Sequence, residues 1–365
     1  MEFGLSDEQK MLADSLTGYL KTRCSLDAVR KIAATGTGLD EGLWNGLVEQ
    51  GIAGLMVGEQ HGGLGLTMLD AAVAAEALGY GAAPVAFAGS LVMAPLALRL
   101  SASAAQQDEW LPRIAVGEAR VGMAFAGWGG QTGRASVTLD GDKLSGAVGG
   151  AVDAGGATHV IVVLPDGRMV LSGARGGGVT ATVRKSLDMT RPVADLAFDK
   201  AKVILLDAAN DPRAAALRVL DAGRVMLAAD TLGAGQCMID KAVAYAKERV
   251  QFGRTIGSFQ GVKHTLADLV TDFEPCRSLV WYAAHAQDAV PDDARLTALQ
   301  AKAHLGDVGR DVARLTTEVH GGMGFTDLLG LHYWFKRIAF DRQMLGGPER
   351  CREEAAVVQG WAKAG

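Results

Sequence analysis

Residues 248–268 read ERVQFGRTIGSFQGVKHTLAD, and the reading of the whole chain turns on this stretch. It is too patterned for an ordinary surface helix and too basic at its centre for a core segment. Glu248 and Arg249 open it, and Gln251 and Phe252 precede a Gly253-Arg254 pair. After a turn-prone Gly257-Ser258 comes a second aromatic–polar pair, Phe259-Gln260. Arg249 and Arg254 can each form charge-assisted hydrogen bonds to phosphate. Phe252 and Phe259 offer apolar faces to a flat ring, while Gln251 and Gln260 are neutral hydrogen-bonding partners. This is the chemistry of a dinucleotide clamp, although the same residues also describe a basic helix–turn–helix surface.

The surrounding chain has 365 residues, more than one hydrophobic core usually organises, so two or three domains are expected. With 49% hydrophobic and 21% charged residues it is globular rather than disordered. A net charge of -5 argues against a nucleic-acid binder. Cys24, Cys237, Cys276 and Cys351 are scattered without a CxxC pair, and the histidines show no metal-ligand spacing. Reduced thiols in a cytoplasmic protein, with no metal, are the simplest account. Glu2, Asp7, Glu8 and Lys10 interrupt the amino terminus, so no signal peptide is expected. Residues 77–98 carry no charge, but Gly79, Gly81, Pro84, Gly89 and Pro95 punctuate them. Two short buried helices joined by a turn fit that pattern better than a membrane span.

The periodicity changes twice along the chain. Residues 1–120 read as helices, one starting at Ser6-Asp7-Glu8 and another running through Trp44, Leu47 and Val48 to Gly51. Between them and the next apolar helix lies a glycine-rich loop from Gly58 to Gly65, which by itself reads as a tight turn. Residues 121–211 hold short β-branched segments, Ser136–Leu139, His159–Leu164, Val179–Val183 and Asp195–Phe198, separated by Gly and Asp. They predict a small antiparallel β domain. From 212 to 365 the helical period returns and predicts a bundle. The fold class is therefore mainly α with a small β domain.

Several stretches carry a resemblance to one family. Residues 248–268 resemble the second sequence motif of the acyl-CoA dehydrogenases, which grips the FAD of a neighbouring subunit. Glu318–Thr326, EVHGGMGFT, is similar to a further motif of that family, with Gly321 and Gly322 leaving the backbone bare for a cofactor to approach. The family usually has glutamine where this chain has Glu318, and a carboxylate near pyrophosphate repels it unless it is protonated or turned away. The Gly58–Gly65 loop and Leu187–Pro192 also resemble family connections. The resemblance covers essentially the whole chain and implies a helical domain, a β domain and a C-terminal four-helix bundle. It implies FAD held by Arg249, Gln251, Phe252, Phe259, Gln260, Glu318, Gly321, Gly322, Gly347 and Glu349. It places Asp221 and Arg224 beside the acyl-CoA substrate, although an exposed Asp–Arg pair near a helix start explains them equally well.

The family's reaction removes the α-proton of an acyl thioester while the β-hydrogen leaves as hydride to the flavin, so a carboxylate base is required. One usual base position maps to Leu345 and the other to Gly223; neither is acidic. The flavin-facing stretches of the β domain are also altered, reading Phe125–Gln131 and Gly149–Asp153, where Trp128 covers a ring or simply packs. Three readings follow. In the first, the chain is one subunit of a heterotetramer whose partner keeps the base, as in bacterial enzymes acting on steroid side chains. In the second, it is a self-sufficient homo-oligomer whose base is Asp221, Asp230 or Glu349. Asp230 is the favoured candidate if burial raises its pKa, with a helix–helix hydrogen bond as the competing role. In the third, the chain serves assembly alone. The resemblance also implies electron-transfer flavoprotein as the redox partner.

Overall fold

The computed structural model describes residues 4–129 and 136–363, so Gly130 and Gln131 of the Phe125–Gln131 stretch lie outside the described residues. The amino-terminal third is helical: α1 (Asp7–Arg23), α2 (Leu26–Thr35), α3 (Glu41–Glu49), α4 (Met68–Tyr80), α5 (Ala94–Ser101) and α6 (Ala104–Ala115). Ser6 starts α1 as expected, its hydroxyl accepting from the Gln9 amide while the Gln9 side chain caps Ser6 in return. The uncharged stretch 77–98 covers the end of α4, a turn, a π-helical segment Ala88–Met93 and the start of α5. Residues 82–98 are buried throughout, and among the described residues no helix is long and apolar enough to cross a membrane.

The middle of the chain forms two four-stranded sheets. Their strands are β1 (Val121–Phe125), β2 (Ser136–Asp140), β3 (Lys143–Ala151), β4 (His159–Val163), β5 (Met169–Gly173), β6 (Val179–Val183), β7 (Ala194–Lys202) and β8 (Ile204–Leu206). One sheet has the order β1-β4-β5-β8 and the other β2-β3-β7-β6. One pairing departs from the antiparallel expectation, because β1 and β4 run parallel from Val121 opposite His159 to Phe125 opposite Val163. Ala124, Val148, Val160, Val162, Val170, Leu196 and Phe198 fill a separate core within this region.

The remaining helices are α7 (Pro212–Glu248), α8 (Gln260–Ala289), α9 (Pro291–Val319), α10 (Leu331–Gln343) and α11 (Pro348–Val358). Between α7 and α8 lies a short hairpin of β9 (Val250–Gln251) and β10 (Arg254–Thr255). α7 is the axle of the molecule, packing on α8, α9 and α10 and also on α4 of the amino-terminal helices. The α4–α7 crossing is a backbone contact made possible by two glycines. A Cβ on Gly79 would sit 2.0 Å from the Asp230 carbonyl oxygen, and one on Gly233 would sit 1.8 Å from that of Glu76.

At the same crossing lies a buried node of charge. Arg337 of α10 donates through Nε and Nη2 to the two oxygens of Asp230, at 2.7 and 2.8 Å. Its Nη1 donates to the Ala83 carbonyl at 3.0 Å and to Thr190 Oγ1 at 2.9 Å. Arg191, from the loop before β7, donates through Nη2 to Asp230 at 2.8 Å and to Asp341 at 3.1 Å. Asp153, after β3, caps the π-helical segment by accepting from the Gly89 and Ser90 amides. The node therefore ties the amino-terminal helices, the β sheets and the bundle together.

This node bears on the two roles considered for Asp230. Burial alone would raise its pKa, but Arg191 and Arg337 outweigh burial and pull it down to about 2. The residue is an ion-pair anchor between helices, close to its competing role and unlike a base. Arg337→Ala leaves that carboxylate buried without its bidentate partner and is expected to lose about 3–5 kcal/mol of stability. Gly233→Ala, which forces α4 and α7 apart, is expected to cost about 1–3 kcal/mol. Urea unfolding of each variant measures both, and losses below about 0.5 kcal/mol would contradict the packing described.

Candidate functional site

The clamp stretch adopts helix–hairpin–helix form rather than helix–turn–helix. α7 ends at Glu248, Gln251 pairs with Arg254, and Phe252-Gly253 makes the two-residue turn with φ of 54° and 76°. Positive φ at both positions is the geometry of a type I′ hairpin turn, which glycine and asparagine adopt readily and a bulky residue does not. Phe252 is moreover 93% exposed. A strained backbone costs about 1–3 kcal/mol, and a Phe side chain left in water forgoes about 1.5–3 kcal/mol of burial. Both features point outward from the chain. Arg254 lies 4.0 Å over the half-buried Phe259 ring, and Phe252 meets the same ring edge-on at 6.2 Å between centroids. Arg249 and Gln260 are exposed, and the Gln251 amide turns back to its neighbour's carbonyl at 2.8 Å.

The second glycine-rich segment lies at the same end of the bundle. Tyr245, one turn before the end of α7, stacks on His320 with ring centroids 4.6 Å apart, and His320 leads directly into Gly321. Gly321 has φ 59°, and a Cβ on either Gly321 or Gly322 would meet nothing within 4 Å. The bare backbone is open. Phe325, four residues on, is 80% exposed. Glu318 sits on the exposed face of α9, where Arg314 donates to it at 2.9 Å, so its charge is answered within the chain. Cations, aromatic rings and open backbone gathered at one end suit a dinucleotide's phosphates and flat rings.

The two base positions converge elsewhere. A Cβ on Gly223 would lie 2.6 Å from a Leu345 methyl carbon and 2.6 Å from the Met93 sulfur. Leu345, 1% exposed, holds φ 59°, and Met93 is fully buried. An apolar contact thus fills the space between the two positions. The turn carrying Leu345 is nonetheless held firmly. Arg224 Nε donates to the Leu345 carbonyl at 2.8 Å, and Lys302 Nζ donates to the carbonyls of Arg342 and Gly346 at 2.9 and 3.0 Å. Burial pushes the Lys302 ammonium down to about 8.

Asp221 and Arg224 are not an exposed pair near a helix start, since both are buried well inside α7. Arg224 Nη1 bonds Asp221 at 2.9 Å and Glu354 at 2.8 Å, while Arg295 bonds Asp221 at 2.7 Å and Glu354 at 3.0 Å. Burial raises the Asp221 carboxyl against the pull of these cations, yet both its oxygens accept from guanidiniums. Gly347 caps α11, and Glu349 in its first turn is exposed and bonded to Arg342 at 3.0 Å. Its own backbone amide and Arg342 hold Glu349 below the usual carboxylate range. Both Asp221 oxygens are engaged, and Glu349 lies in the open with one oxygen on Arg342. Gly347 and Glu349 also lie beside the middle of α9, since Pro348 touches Gly306, and so stand apart from the Gly321 segment at its end.

Trp128 packs: its indole donates to the Leu164 carbonyl at 2.8 Å, and Arg213 covers the ring at 5.0 Å. The Gly58–Gly65 loop is a tight turn, closed by the Gly62 amide on Glu59 and the Gly65 amide on Val57. It borders a cleft of about 590 Å³ with Arg99 and Asp288, which shares no residue with the clamp or the base positions. Met93, Lys302, Arg295 and Glu354 were not foreseen. They enter from three elements, Met93 from the π-helical segment, Arg295 and Lys302 from α9 and Glu354 from α11, and nothing local in sequence marks them.

Two stretches of the chain match family models: residues 6–118 match the acyl-CoA dehydrogenase N-terminal domain, and residues 213–356 match the C-terminal domain. The chain is 30% identical over 343 residues to acyl-CoA dehydrogenase IpdE2 of Mycobacterium tuberculosis, covering 94% of each protein. It is 29% identical to IpdE2 of Mycolicibacterium smegmatis, covering 97% of this chain and 100% of that one. Among solved structures it is similar to a variant of the Tcur3481-Tcur3483 steroid ACAD, with a TM-score of 0.86, 28% identity, and coverage of 97% of this chain and 98% of that chain. The ChsE4-ChsE5 complex from Mycobacterium tuberculosis shares the fold at a TM-score of 0.88 and 24% identity, covering 100% of both chains. Helical domain, paired sheets, bundle and sequence relationship agree: the chain belongs to the acyl-CoA dehydrogenase family, oxidoreductases that act on CH–CH bonds.

Proposed function

We propose that this chain is the base-lacking subunit of a paired acyl-CoA dehydrogenase, lending its clamp to FAD held mainly by a base-bearing partner subunit. The observation that carries this reading is the contrast between its two ends. Gly223 and Leu345 close on Met93 where the base belongs, while the exposed hairpin stands at the far end of α7. From Gly223 to Glu248 the helix rises about 37 Å at 1.5 Å per residue, too far for both features to serve one reacting centre. FAD supplies the hydride acceptor when bound. In this chain Arg249 would bond its phosphate oxygens, Phe252 would cover an apolar ring face, and the amides around Gly321 and Gly322 would meet polar atoms of the cofactor. Removal of the α-proton falls to the partner's carboxylate.

The substrate would be an acyl-CoA, and the steroid name of the Tcur3481-Tcur3483 relative makes steroid-derived thioesters the first to test. Electron-transfer flavoprotein would reoxidise the assembly, and a heterotetramer would be its form. Purified alone, the chain is expected to be colourless and unreactive with acyl-CoAs. Co-expressed with a base-bearing relative, it should yield a yellow complex that acyl-CoA bleaches. A chain that is yellow and bleached by itself overturns the pairing and restores the self-sufficient reading. A complex that bleaches equally well without this chain leaves it the assembly role.

In the complex, Arg249→Ala is expected to weaken FAD retention about 10–100-fold, the worth of a charge-assisted hydrogen bond. Stability should move by no more than about 0.5 kcal/mol, because Arg249 is exposed. Flavin release during dialysis, followed by fluorescence, measures the first quantity, and urea unfolding measures the second. Retention unchanged in both Arg249→Ala and Phe252→Ala would remove the hairpin from the cofactor site.

A further inference from the structure

We propose that the buried node holds a proton: Asp341 carries it on Oδ2, donates it to Asp230, and so latches the seam where the amino-terminal helices, the sheets and the bundle meet. The argument begins with charge. Two guanidiniums, Arg191 and Arg337, share the node with four buried carboxyl groups, Asp153, Asp188, Asp230 and Asp341. Arg337 directs its carboxylate bonds to Asp230 alone. Arg191 divides one nitrogen between Asp230 and Asp341 Oδ1. Asp188 Oδ1 is met by the amide and hydroxyl of Thr190, and Asp153 is met by two helix amides.

Asp188 and Asp341 each bury an Oδ2 that meets no donor. Asp188 keeps two donors on its Oδ1, whereas Asp341 Oδ1 has only a share of one Arg191 nitrogen. Arg191 Nη2 lies 2.8 Å from Asp230 Oδ2 and 3.1 Å from Asp341 Oδ1, so the two carboxyl groups stand side by side, and such a pair can hydrogen-bond only if a proton lies between them. Both Asp230 oxygens already accept from guanidiniums, so the proton belongs on Asp341 Oδ2. There it turns an orphaned acceptor into a donor and removes one negative charge from a crowded, dry site.

Other groups face this acid from each neighbouring element. Asp230 comes from α7, Asp188 and Arg191 from the loop before β7, Arg337 from its own helix and Lys302 from α9. Asp153 faces Arg191, and Cys24 after α1 faces Arg337. Burial holds Asp341 well above the ordinary carboxylate range. An acid raised in the folded state gives its full stability below the unfolded value of 3.8 and loses it as pH rises toward the folded one. Asp153 has the same sign but titrates at about 6, and Cys24 only at about 12. Lys302, lowered to about 8, has the opposite sign and adds stability at higher pH.

The test uses the intact chain at about pH 7.5, above Asp153 and below Lys302. Infrared spectroscopy should show a protonated-carboxyl carbonyl band that shifts on ¹³C-aspartate labelling. Labelling separates it from Glu76, a glutamate that burial also raises, and Asp221→Asn removes any band of the other buried aspartate raised by burial. Asp341→Asn, which keeps a donor toward Asp230, should abolish this band. Between about pH 7 and 8 its unfolding midpoint should also change in a more stabilising direction than that of the unaltered chain, whereas Asp341→Ala should lower the midpoint across that range. Absence of an aspartate-derived band in the unaltered protein overturns the proposal, and that measurement requires no variant to fold. Persistence of the band in Asp341→Asn, or parallel pH profiles for it and the unaltered chain, would do the same.

Discussion

The bond that the architecture depends on is the bidentate contact between Arg337 and Asp230. It joins the middle of α7 to α10, and the same guanidinium reaches the Ala83 carbonyl among the amino-terminal helices and Thr190 in the loop before β7. Such a contact gains little over a well-packed apolar alternative, because two ions must first leave water. What it supplies is direction. The donors of one guanidinium fix three parts of the chain relative to one another, and apolar contacts alone tolerate sliding that a planar fork does not.

Around this anchor the molecule divides its labour along α7. The helix carries Gly223 near one end, Asp230 further along, and the hairpin after Glu248. The first region is dry and closed, with Leu345 and Met93 against Gly223. The last is exposed, cationic and aromatic. The turn at Leu345 has a positive φ and carbonyls tied down by Arg224 and Lys302.

Much of the fold was legible because it depended on local signals. The capping residue Ser6 and the breaks at Gly51 and Gly81 could be read directly, and the β-branched runs of β4 and β6 could be read from composition. The strands that escaped notice lack that signal. β1 is VGMAF, β3 is rich in glycine and alanine, β5 is MVLSG with one β-branched residue, and β8 has only three residues, so pairing rather than propensity makes them strands. The parallel pairing of β1 with β4 could not be read from either strand. The clamp was conspicuous, but its hairpin was not, since Phe-Gly is an unusual pair for a type I′ turn. The greatest loss concerned charge. Among small apolar neighbours Asp230 could be read either as a poised acid or as a helix–helix contact, because its partners, Arg191 and Arg337, lie about 40 and 107 residues away. Asp221 and Arg224 looked exposed because Arg295 and Glu354 arrive from other helices.

The uninterrupted α7 has a further consequence in terms of register. It is one α-helix of 37 residues, with an azimuth of about 100° and a rise of 1.5 Å per residue. Inserting or deleting a single residue between Asp230 and Glu248 would swing the hairpin about a third of a turn around the helix axis while the anchored half stayed in place. The number of residues in this span is therefore a specification in its own right. Side chains along it can be exchanged while packing is kept, but its length can change only in steps that restore the angle at which Phe252 leaves the molecule.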